Sequence, residues 1–358
     1  MQERMLTFLR CPVTRSPLHL VPVGKASTPG HPPAQGITEA ILFAEEDWFF
    51  PVTGGIPRLT VEAFLDYEDF FRQHFPDYAI RRQQLLSKYA GIIAYVKKKN
   101  KRTQKSFFRE WSLYNYKKDR TWNAGTEDML LRFLGETGES LDSLQDKVIL
   151  DAGCGNGQLD TLIARQGAII VAMDLSLSIE LAYRQNTHPD VLYIQGDVQF
   201  PPLAFSIFDI VHSSGVLHHT NNTELSFSCL SPCVRSGGKY SVWLYHRRKN
   251  ALHRLFNMAR VFYSPLPSGL QYFLLRITVF PVSYLIKKIK GNPQNHREMM
   301  IDILDWLTPE YRWEHQPDEV AAWFTKRSYR SVQVTTSDTF GFNMTGEMPA
   351  SPVTSTPG

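Results

Sequence analysis

The fold class follows from residues 148–157, Val-Ile-Leu-Asp-Ala-Gly-Cys-Gly-Asn-Gly. An apolar run is followed by Asp151 and then by a turn that has glycine at every second position, at Gly153, Gly155 and Gly157. Glycine lets the backbone turn with positive φ and approach a ligand closely, because it has no Cβ. A second apolar run, residues 168–173, ends at Asp174. This order is typical of half of a nucleotide-binding βαβ unit, which consists of a strand, a glycine turn, a helix and a second strand that ends in an acid.

The glycine spacing separates two kinds of nucleotide site. A dinucleotide site uses G-x-G-x-x-G to place a pyrophosphate at the helix N-terminus. Here Asp151 precedes glycines at alternate positions. A carboxylate at that place repels phosphate, so the turn suits a ligand that carries an amine and a sulfonium. Asp174, at the end of the second strand, is expected to accept hydrogen bonds from both hydroxyls of a ribose.

Four motifs in order resemble those of class I S-adenosylmethionine-dependent methyltransferases. They are residues 151–157, Asp174, Gly196-Asp197-Val198, and residues 208–211 leading to Gly-Val-Leu-His-His at 215–219. The resemblance covers about residues 146–246 and returns more weakly near 316–348. It implies an α/β fold with a doubly wound, mostly parallel seven-stranded sheet that ends in a reversed hairpin. The alternation of apolar runs and helical patterns along the same region predicts such a sheet independently. We expect strands at 147–151, 168–173, 191–195, 208–213 and 239–245, the last of them after a turn at Gly237-Gly238, and a helix at 317–326.

The resemblance also implies S-adenosylmethionine as cofactor. The glycine turn would hold its methionine part, Asp174 the ribose, and Asp197 with Val198 the adenine. The complete set of expected cofactor-binding residues is Asp151, Gly153, Cys154, Gly155, Gly157, Asp174, Leu175, Asp197, Val198 and Ser214.

The chain divides into six predicted segments. Residues 1–60 form a small β-rich domain, 61–145 a helical linker or cap, and 146–245 the cofactor-binding core. Residues 246–305 form a helical insertion or lid, 306–346 the closing helix and strands, and 347–358 a disordered tail. Within the cap, residues 107–111 and Thr121-Trp122 either fold over the cofactor pocket or pack in the core.

The first sixty residues resemble a zinc-ribbon-type activator domain of transfer-RNA, ribosomal and release-factor methyltransferases. The likeness rests on Cys11-Pro12 at the start and on Pro-Val-x-Gly-Gly-Ile-Pro at 51–57. Thr14 stands where a second zinc ligand would be, and the region has no further cysteine. Because a structural zinc site needs four ligands, we predict no metal in this domain.

Two segments outside the core are rich in positive charge. Residues 97–105 hold six Lys and Arg in nine positions, which indicates a solvated helix face or loop, contact with RNA phosphates, or contact with an anionic membrane surface. Residues 246–290 contain apolar runs that Pro265, Pro267, Arg276 and Pro281 interrupt. We expect these runs to be too broken to span a bilayer. They would form an apolar lid with cationic edges, which either packs on its own domain or makes peripheral membrane contact.

Methyl transfer from a sulfonium is an in-line displacement, so positioning can supply most of the acceleration. His219 or His218, at the end of the fourth strand, would accept a proton from an oxygen or nitrogen nucleophile, or would only pack there. The region after that strand lacks the Asn/Asp-Pro-Pro-Tyr/Phe element of many enzymes that methylate amide or amino nitrogens. Cys233 lies beyond the next helix, so we interpret it as a structural thiol rather than a nucleophile.

Composition limits the function further. The 358 residues carry a net charge of +4, too mild to indicate nucleic acid by itself. The four cysteines form no Cys-x-x-Cys pair, and the N-terminus lacks the apolar core of a signal peptide, so a cytoplasmic location is expected. Three hypotheses follow: a methyltransferase for a small or amphipathic, quinone-like or lipid-like acceptor; an RNA methyltransferase with a fused activator-like domain; and a scaffold with a vestigial pocket. The methyl acceptor and the oligomeric state stay open.

Overall fold

The computed structural model describes residues 1–23, 36–114, 125–247 and 251–350, without the side chains of 126 and 251–256. The predicted Thr121-Trp122 contact, residues 28–35 of the predicted N-terminal loop and residues 351–358 of the predicted tail lie outside the described residues.

The N-terminal region begins with a small antiparallel sheet. Its strands are β1 (His19–Pro22), β2 (Ala40–Phe43), β3 (Phe49–Thr53) and β4 (Ile56–Pro57), paired in that order. Five helices follow: α1 (Ala63–Asp66), α2 (Glu68–His74), α3 (Tyr78–Lys88), α4 (Ala90–Ser112) and α5 (Thr126–Thr137). The long α4 carries the basic run of residues 97–105.

The core is a seven-stranded sheet, as predicted. Its strands are β5 (Val148–Ala152), β6 (Ile169–Asp174), β7 (Val191–Gln195), β8 (Phe208–Ser214), β9 (Val234–Tyr245), β10 (Arg330–Ser337) and β11 (Gly341–Glu347). Their spatial order is β10-β11-β9-β8-β5-β6-β7, with β5 to β9 parallel and the last two strands antiparallel. Most residues of the parallel strands are buried because helices cover both faces.

Helices connect these strands. They are α6 (Gln158–Ala164), α7 (Ser178–Gln185) and α8 (Thr223–Leu230), then α9 (Ala251–Tyr263), α10 (Ser268–Ile289) and α11 (His296–Leu307) in the insertion, and finally α12 (Pro317–Lys326).

Two predicted boundaries of the core are wrong. Gly237 and Gly238 were expected to form a turn before a strand at 239, but β9 begins at Val234 and runs through both. A Cβ on Gly238 would lie 2.9 Å from the carbonyl oxygens of Phe208 and Asp209, so glycine allows close pairing there. The predicted disordered tail starts too early, because Glu347 ends β11 and the Met348 N–H donates to the Gly238 carbonyl at 2.8 Å.

The insertion also differs from the expectation of broken runs. Arg276 and Pro281 both lie inside one continuous helix, α10, of 22 residues. Proline removes a single N–H donor, so the remaining hydrogen bonds can carry the helix past it. By length and composition α10 is apolar enough to cross a bilayer, and only 11% of its most apolar window is buried. Length and composition alone do not place it in a membrane.

The small sheet packs directly on the central sheet. The Leu59 N–H donates to the Gln195 carbonyl at 2.8 Å, and Leu9 bridges to Leu203. The buried Arg58 guanidinium pairs with Glu180 at 2.8 Å. One hydrophobic cluster runs from the small sheet through α1 to α4 and into β5 to β9. The two sheets therefore share a core, and the segment boundary at residue 60 stays a prediction.

Because the two sheets share a core, we expect them to unfold cooperatively. Phe49 is fully buried, and its ring contacts Phe64, Phe71, Phe75 and Tyr78. We expect Phe49→Ala to lower the unfolding free energy by about 3 to 5 kcal/mol through the cavity it leaves. Urea unfolding followed by circular dichroism should show one transition shifted as a whole.

The control is Val21→Ala on β1, where the side chain is 47% exposed and little change is expected. An early transition that Phe49→Ala shifts alone, with the remainder unfolding as in the wild type, would show that the small sheet is an independent unit.

Candidate active site

The glycine turn between β5 and α6 lies where strand order reverses, since β5 has β6 on one side and β8 on the other. Such a switch point opens a crevice at the carboxyl ends of the strands. Gly153 and Gly155 have φ of +97° and +56°. A Cβ on Gly153 would lie 2.2 Å from the Val216 side chain, and one on Gly155 would lie 2.7 Å from the Trp111 ring. Both positions therefore require glycine.

A cavity of about 1150 Å³ opens at this switch point. Ligand pockets usually measure about 300–1,000 Å³, so this one has room for more than one molecule. All of the predicted cofactor-binding residues except Gly157 line it. Residues 107 and 111 of the cap line it too, so the cap helix covers the pocket. Gly157 instead begins α6 with φ of +71°.

Asp174 is held at the end of β6 by its neighbours. One carboxylate oxygen accepts from the Ser176 N–H at 2.8 Å, and the other accepts from the Gly155 N–H at 3.1 Å. Burial raises the pKa of Asp174, and these donors oppose the rise. The carboxylate thus joins the glycine turn to the end of the next strand and faces the cavity, as a ribose-binding residue would.

The turn is surrounded by negative charge. Asp151 lines the cavity, and Asp160 lies fully buried behind it on α6. Neither oxygen of Asp160 accepts a hydrogen bond from a basic or neutral donor among the described residues. Burial, the charge of Asp151 and a side-chain hydrogen bond shared with Asp151, together with Asp174, raise the pKa of Asp160 well above its usual range. A ligand that carries an amine and a sulfonium would relieve this repulsion, so the residues fit S-adenosylmethionine.

A histidine that the sequence analysis did not single out holds Asp151. His212 on β8 contacts the Asp151 carboxylate with Nδ1 at 3.2 Å and the Glu136 carboxylate with Nε2 at 2.8 Å. Burial acts to lower the pKa of His212, but the two carboxylates outweigh it and raise the pKa to about 9. The imidazolium therefore fixes β5, β8 and α5 around the start of the turn.

Asp197, the predicted adenine residue, lines the cavity but already has partners. Its carboxylate forms a buried ion pair with Lys99 and accepts from Asn100 Nδ2 at 3.1 Å. The Gln199 N–H donates to its other oxygen at 2.9 Å. Two residues of the basic run therefore face inward, and α4 reaches the adenine side of the predicted site. The adenine role of Asp197 stays a prediction.

The two candidate catalytic histidines have different surroundings. His219 lines the cavity, its Nδ1 donates to the Tyr311 carbonyl at 3.0 Å, and its Nε2 lies 3.5 Å from Asp305. His218 is fully buried against Tyr245, with ring centroids 4.1 Å apart, and is not among the cavity-lining residues. Burial lowers the pKa of His218 well below its usual range. Only His219 is therefore placed to meet a substrate.

Two acids from distant helices complete this wall. Asp305 on α11 accepts from the Tyr245 hydroxyl at 2.5 Å. Burial acts to raise the pKa of Asp305, but contact with His219 and Tyr245 lowers it overall, so the carboxylate is charged. Glu110 on α4 is 1% exposed, lines the cavity and has no hydrogen-bond partner for either oxygen among the described residues. Burial and the nearby Asp305 raise the pKa of Glu110 well above its usual range.

Sequence reasoning missed Lys99, Glu110, His212 and Asp305 as site residues. Lys99 was hidden in a run of similar charges, and Glu110 lay among aromatics that suggested packing. Glu298, Asp302 and Asp305 are the first acids after the 52 residues 246–297, which contain none, and this change in charge is the one sequence signal for α11. Cys233 is buried away from the cavity, and burial raises its pKa to about 12, in agreement with a structural thiol.

Parts of this chain are similar to known methyltransferases. Residues 150–242 match the methyltransferase domain family. An uncharacterized methyltransferase of Synechocystis is 30% identical over 156 residues, which cover 41% of this chain and 71% of that protein. The malonyl-[acyl-carrier protein] O-methyltransferase of Pectobacterium atrosepticum is 31% identical over 32% of this chain and 47% of its own length. The solved magnesium protoporphyrin IX methyltransferase of Synechocystis with bound SAH is 14% identical, with a TM-score of 0.39, over 69% of this chain and 97% of that one.

The sheet with its reversed hairpin, the glycine turn at the switch point, the domain match and the Synechocystis relative of 30% identity together define the protein class. The chain belongs to the class I S-adenosylmethionine-dependent methyltransferases.

The first test of the site concerns donor binding. Charged hydrogen bonds of the kind that Asp174 would offer a ribose are worth about 1.5 to 3 kcal/mol. We therefore expect Asp174→Ala to weaken S-adenosylmethionine binding by about one to two orders of magnitude in calorimetry. Asp190→Ala, at an exposed acid outside the cavity, is the control and should bind normally. Equal affinity in both variants would remove Asp174 from the cofactor site.

The second test uses the pKa of His212. Its folded value of about 9 lies above the usual 6.5, so the stabilisation is complete below pH 6.5 and is lost as pH rises through 9. The difference in unfolding free energy between wild type and His212→Gln should shrink over this window by up to about 3 kcal/mol. Urea unfolding at pH 6 to 9.5 measures it. His19→Gln, at an exposed site, should show no such trend; a pH-independent difference for His212→Gln would contradict a buried imidazolium.

Proposed function

We propose that this methyltransferase acts on an amphipathic acceptor, quinone-like or lipid-like, with an oxygen nucleophile. The observation that carries the proposal is the shape of the cavity, which continues past the glycine turn to the insertion helices α10 and α11. Its cofactor half is polar and acidic. The insertion lines its far half with aliphatic side chains, namely Val279, Val282, Ile286, Ile303 and Leu307, beside the polar Thr278, Ser283, Asn292, Gln294 and Asp302.

Positive charge stands at the end of the aliphatic half. Lys287 and Lys290 of α10 both line the cavity there. Lys287 is paired with Asp302 at 2.6 Å, while Lys290 is exposed. An apolar channel with a cation at its outer end suits an acceptor that has an apolar body and a polar or anionic end. The O-methyltransferase among the relatives supports an oxygen acceptor, although this chain spans less than half of that protein.

His219 is the proposed general base. Because its Nδ1 donates to the Tyr311 carbonyl, Nε2 carries the lone pair and can accept a proton from an acceptor hydroxyl. The resulting imidazolium would be stabilised by Asp305, 3.5 Å away. Tyr245 fixes Asp305 in turn. S-adenosylmethionine, when bound, supplies the methyl group; these side chains orient the acceptor oxygen and take up its proton.

An RNA acceptor is the weaker alternative. Of the basic run, Lys99 and Asn100 are buried against Asp197, and Arg102 pairs with Glu310 at 3.2 Å. Lys97, Lys98, Lys101 and Lys105 are exposed. RNA binding through these four would weaken steeply with added salt. The cytoplasmic location also stays a prediction.

If His219 is the general base, its removal should lower turnover without changing the affinity for the methyl donor. With methyl-labelled S-adenosylmethionine and an extract of host cells that lack the gene, label should enter the fraction soluble in organic solvent. His219→Ala should lower that rate by about 10²- to 10⁴-fold, the usual contribution of general base catalysis. Calorimetric affinity for S-adenosylmethionine should stay within about twofold of the wild type.

The control is His74→Ala, on α2 outside the cavity, which should keep full activity. Label in RNA alone would refute the amphipathic acceptor. Unchanged turnover by His219→Ala would leave positioning as the only source of catalysis.

A further inference from the structure

The insertion presents an apolar face to the outside, which we call the hairpin face. It is formed by eight exposed side chains of α9 and α10: Met258, Val261, Phe262, Leu270, Phe273, Ile277, Leu285 and Ile289. Their exposed fractions range from 44% to 78%. Single exposed apolar residues are ordinary, but eight of them on two consecutive helices mark an interaction surface.

The exposed apolar residues of α10 form a stripe that winds along the helix. Phe273 and Ile277 lie four residues apart, as do Leu285 and Ile289, with Pro281 between the two pairs. Residues four apart are neighbours on a helix surface, and each further step of four turns the stripe by about 40°. The opposite side of α10 is occupied by the protein, since Leu275 is buried with Met300 and Leu304 of α11. One side of α10 is thus packed against the protein and the other side is exposed, which is the arrangement of a helix that lies on a surface.

Charge indicates what that surface is. Residues 246–297 contain ten Lys and Arg and no Asp or Glu. Arg276, Lys288 and Lys290 are exposed on α10 itself, near the hairpin face. Apolar side chains bordered by cations complement a bilayer of anionic lipids, whose headgroups attract Lys and Arg while the acyl boundary accepts the apolar groups. A nucleic acid would match the cations but not the eight exposed apolar residues.

The cavity opens beside the same face. Val282 and Ile286 line the cavity, yet they are 60% and 48% exposed. Thr278 and Lys290 also line it and are exposed. These four residues lie on α10 next to the stripe of the hairpin face. A molecule that leaves a lipid layer under α10 would therefore reach the aliphatic half of the cavity without crossing water.

We propose that the hairpin face rests in the headgroup layer of an anionic phospholipid bilayer and that the acceptor enters the cavity from that layer. The second half of this statement rests on the proposed function. The first half does not, because it follows from the exposed face and its charge alone.

The contacts of α10 favour a helix that lies on the bilayer over one that crosses it. Lys287 pairs with Asp302 of α11, Gln271 donates to the Ser264 carbonyl at 3.0 Å, and Leu275 is fully buried. Crossing would break these contacts and open the wall of the cavity. Interfacial helices instead bury one apolar side to a depth of about 5–10 Å.

The test measures co-sedimentation of the full chain with vesicles, without S-adenosylmethionine. Vesicles of phosphatidylcholine with about one third phosphatidylglycerol should bind the protein at least about tenfold better than pure phosphatidylcholine. The double variant Ile277→Asp with Leu285→Asp should lower partition by at least about tenfold, because each substitution puts a charge where an apolar group enters the bilayer. Its matched control, Ile80→Asp on α3, changes an isoleucine that is 64% exposed elsewhere and should bind as the wild type does.

A second pair of variants tests the charge. Lys288→Glu should weaken binding to anionic vesicles, whereas Lys98→Glu, an equally exposed lysine of the basic run on α4, should not. Equal binding to both vesicle types, or equal loss in both lysine variants, would overturn the proposed surface. Protein that resists extraction by alkaline carbonate would also overturn it, in favour of a spanning helix.

Donor affinity separates this proposal from the proposed function. All four variants should bind S-adenosylmethionine normally in calorimetry, since none alters a residue that lines the cavity. Absence of vesicle binding with normal donor affinity would reject the hairpin face and leave the methyltransferase activity intact. Vesicle binding with label found only in water-soluble acceptors would retain the surface and reject lipid delivery.

Discussion

The arrangement of the site depends on the close approach of the loop after β8 and of the helix α4 to the glycine turn. Gly153 leaves space that Val216 fills, and Gly155 leaves space for the Trp111 ring. Val216 starts the loop that carries His219, and Trp111 ends the cap helix α4. A side chain on either glycine would push back the loop or the cap. The two contacts therefore bring the proposed base and the cap to the place where the donor is expected to bind.

The same close packing around the glycine turn also determines the electrostatics of the site. The turn brings together three acids, Asp151, Asp160 and Asp174, of which Asp151 and Asp160 are buried. The His212 imidazolium matches Asp151, and backbone and serine donors match Asp174, whereas no cation among the described residues pairs with Asp160. Buried carboxyls without a counter-charge are costly, so the site is arranged for a cation. A phosphate-bearing dinucleotide would meet repulsion at the same place.

Much of the fold was predictable because its signals are local. The strands β5 to β8 and the helix α12 lie within one or two residues of the predicted positions, since apolar runs and turn residues specify them directly. The acceptor side was not predictable in this way. Glu110 and Asp305 are nearly 200 residues apart in sequence, and only packing of α4 against α11 brings them near His219. Likewise Lys99 looks like its solvated neighbours until tertiary structure pairs it with Asp197. Pro281 gives the opposite error. Proline usually ends or kinks a helix, but α10 continues through this residue.

The cavity consequently has two halves of different origin. The donor half comes from β5 to β9, which are the residues that match the methyltransferase domain family. The acceptor side of the cavity is lined by α10 and α11, which lie outside that match, and by His219, which lies inside it. Likeness over residues 150–242 therefore transfers the methyl donor between relatives, but it does not extend to the aliphatic lining on α10 and α11. Under the proposed function, the chemistry of α10, with aliphatic side chains toward the cavity, apolar side chains toward the outside and lysines at its end, would select the acceptor.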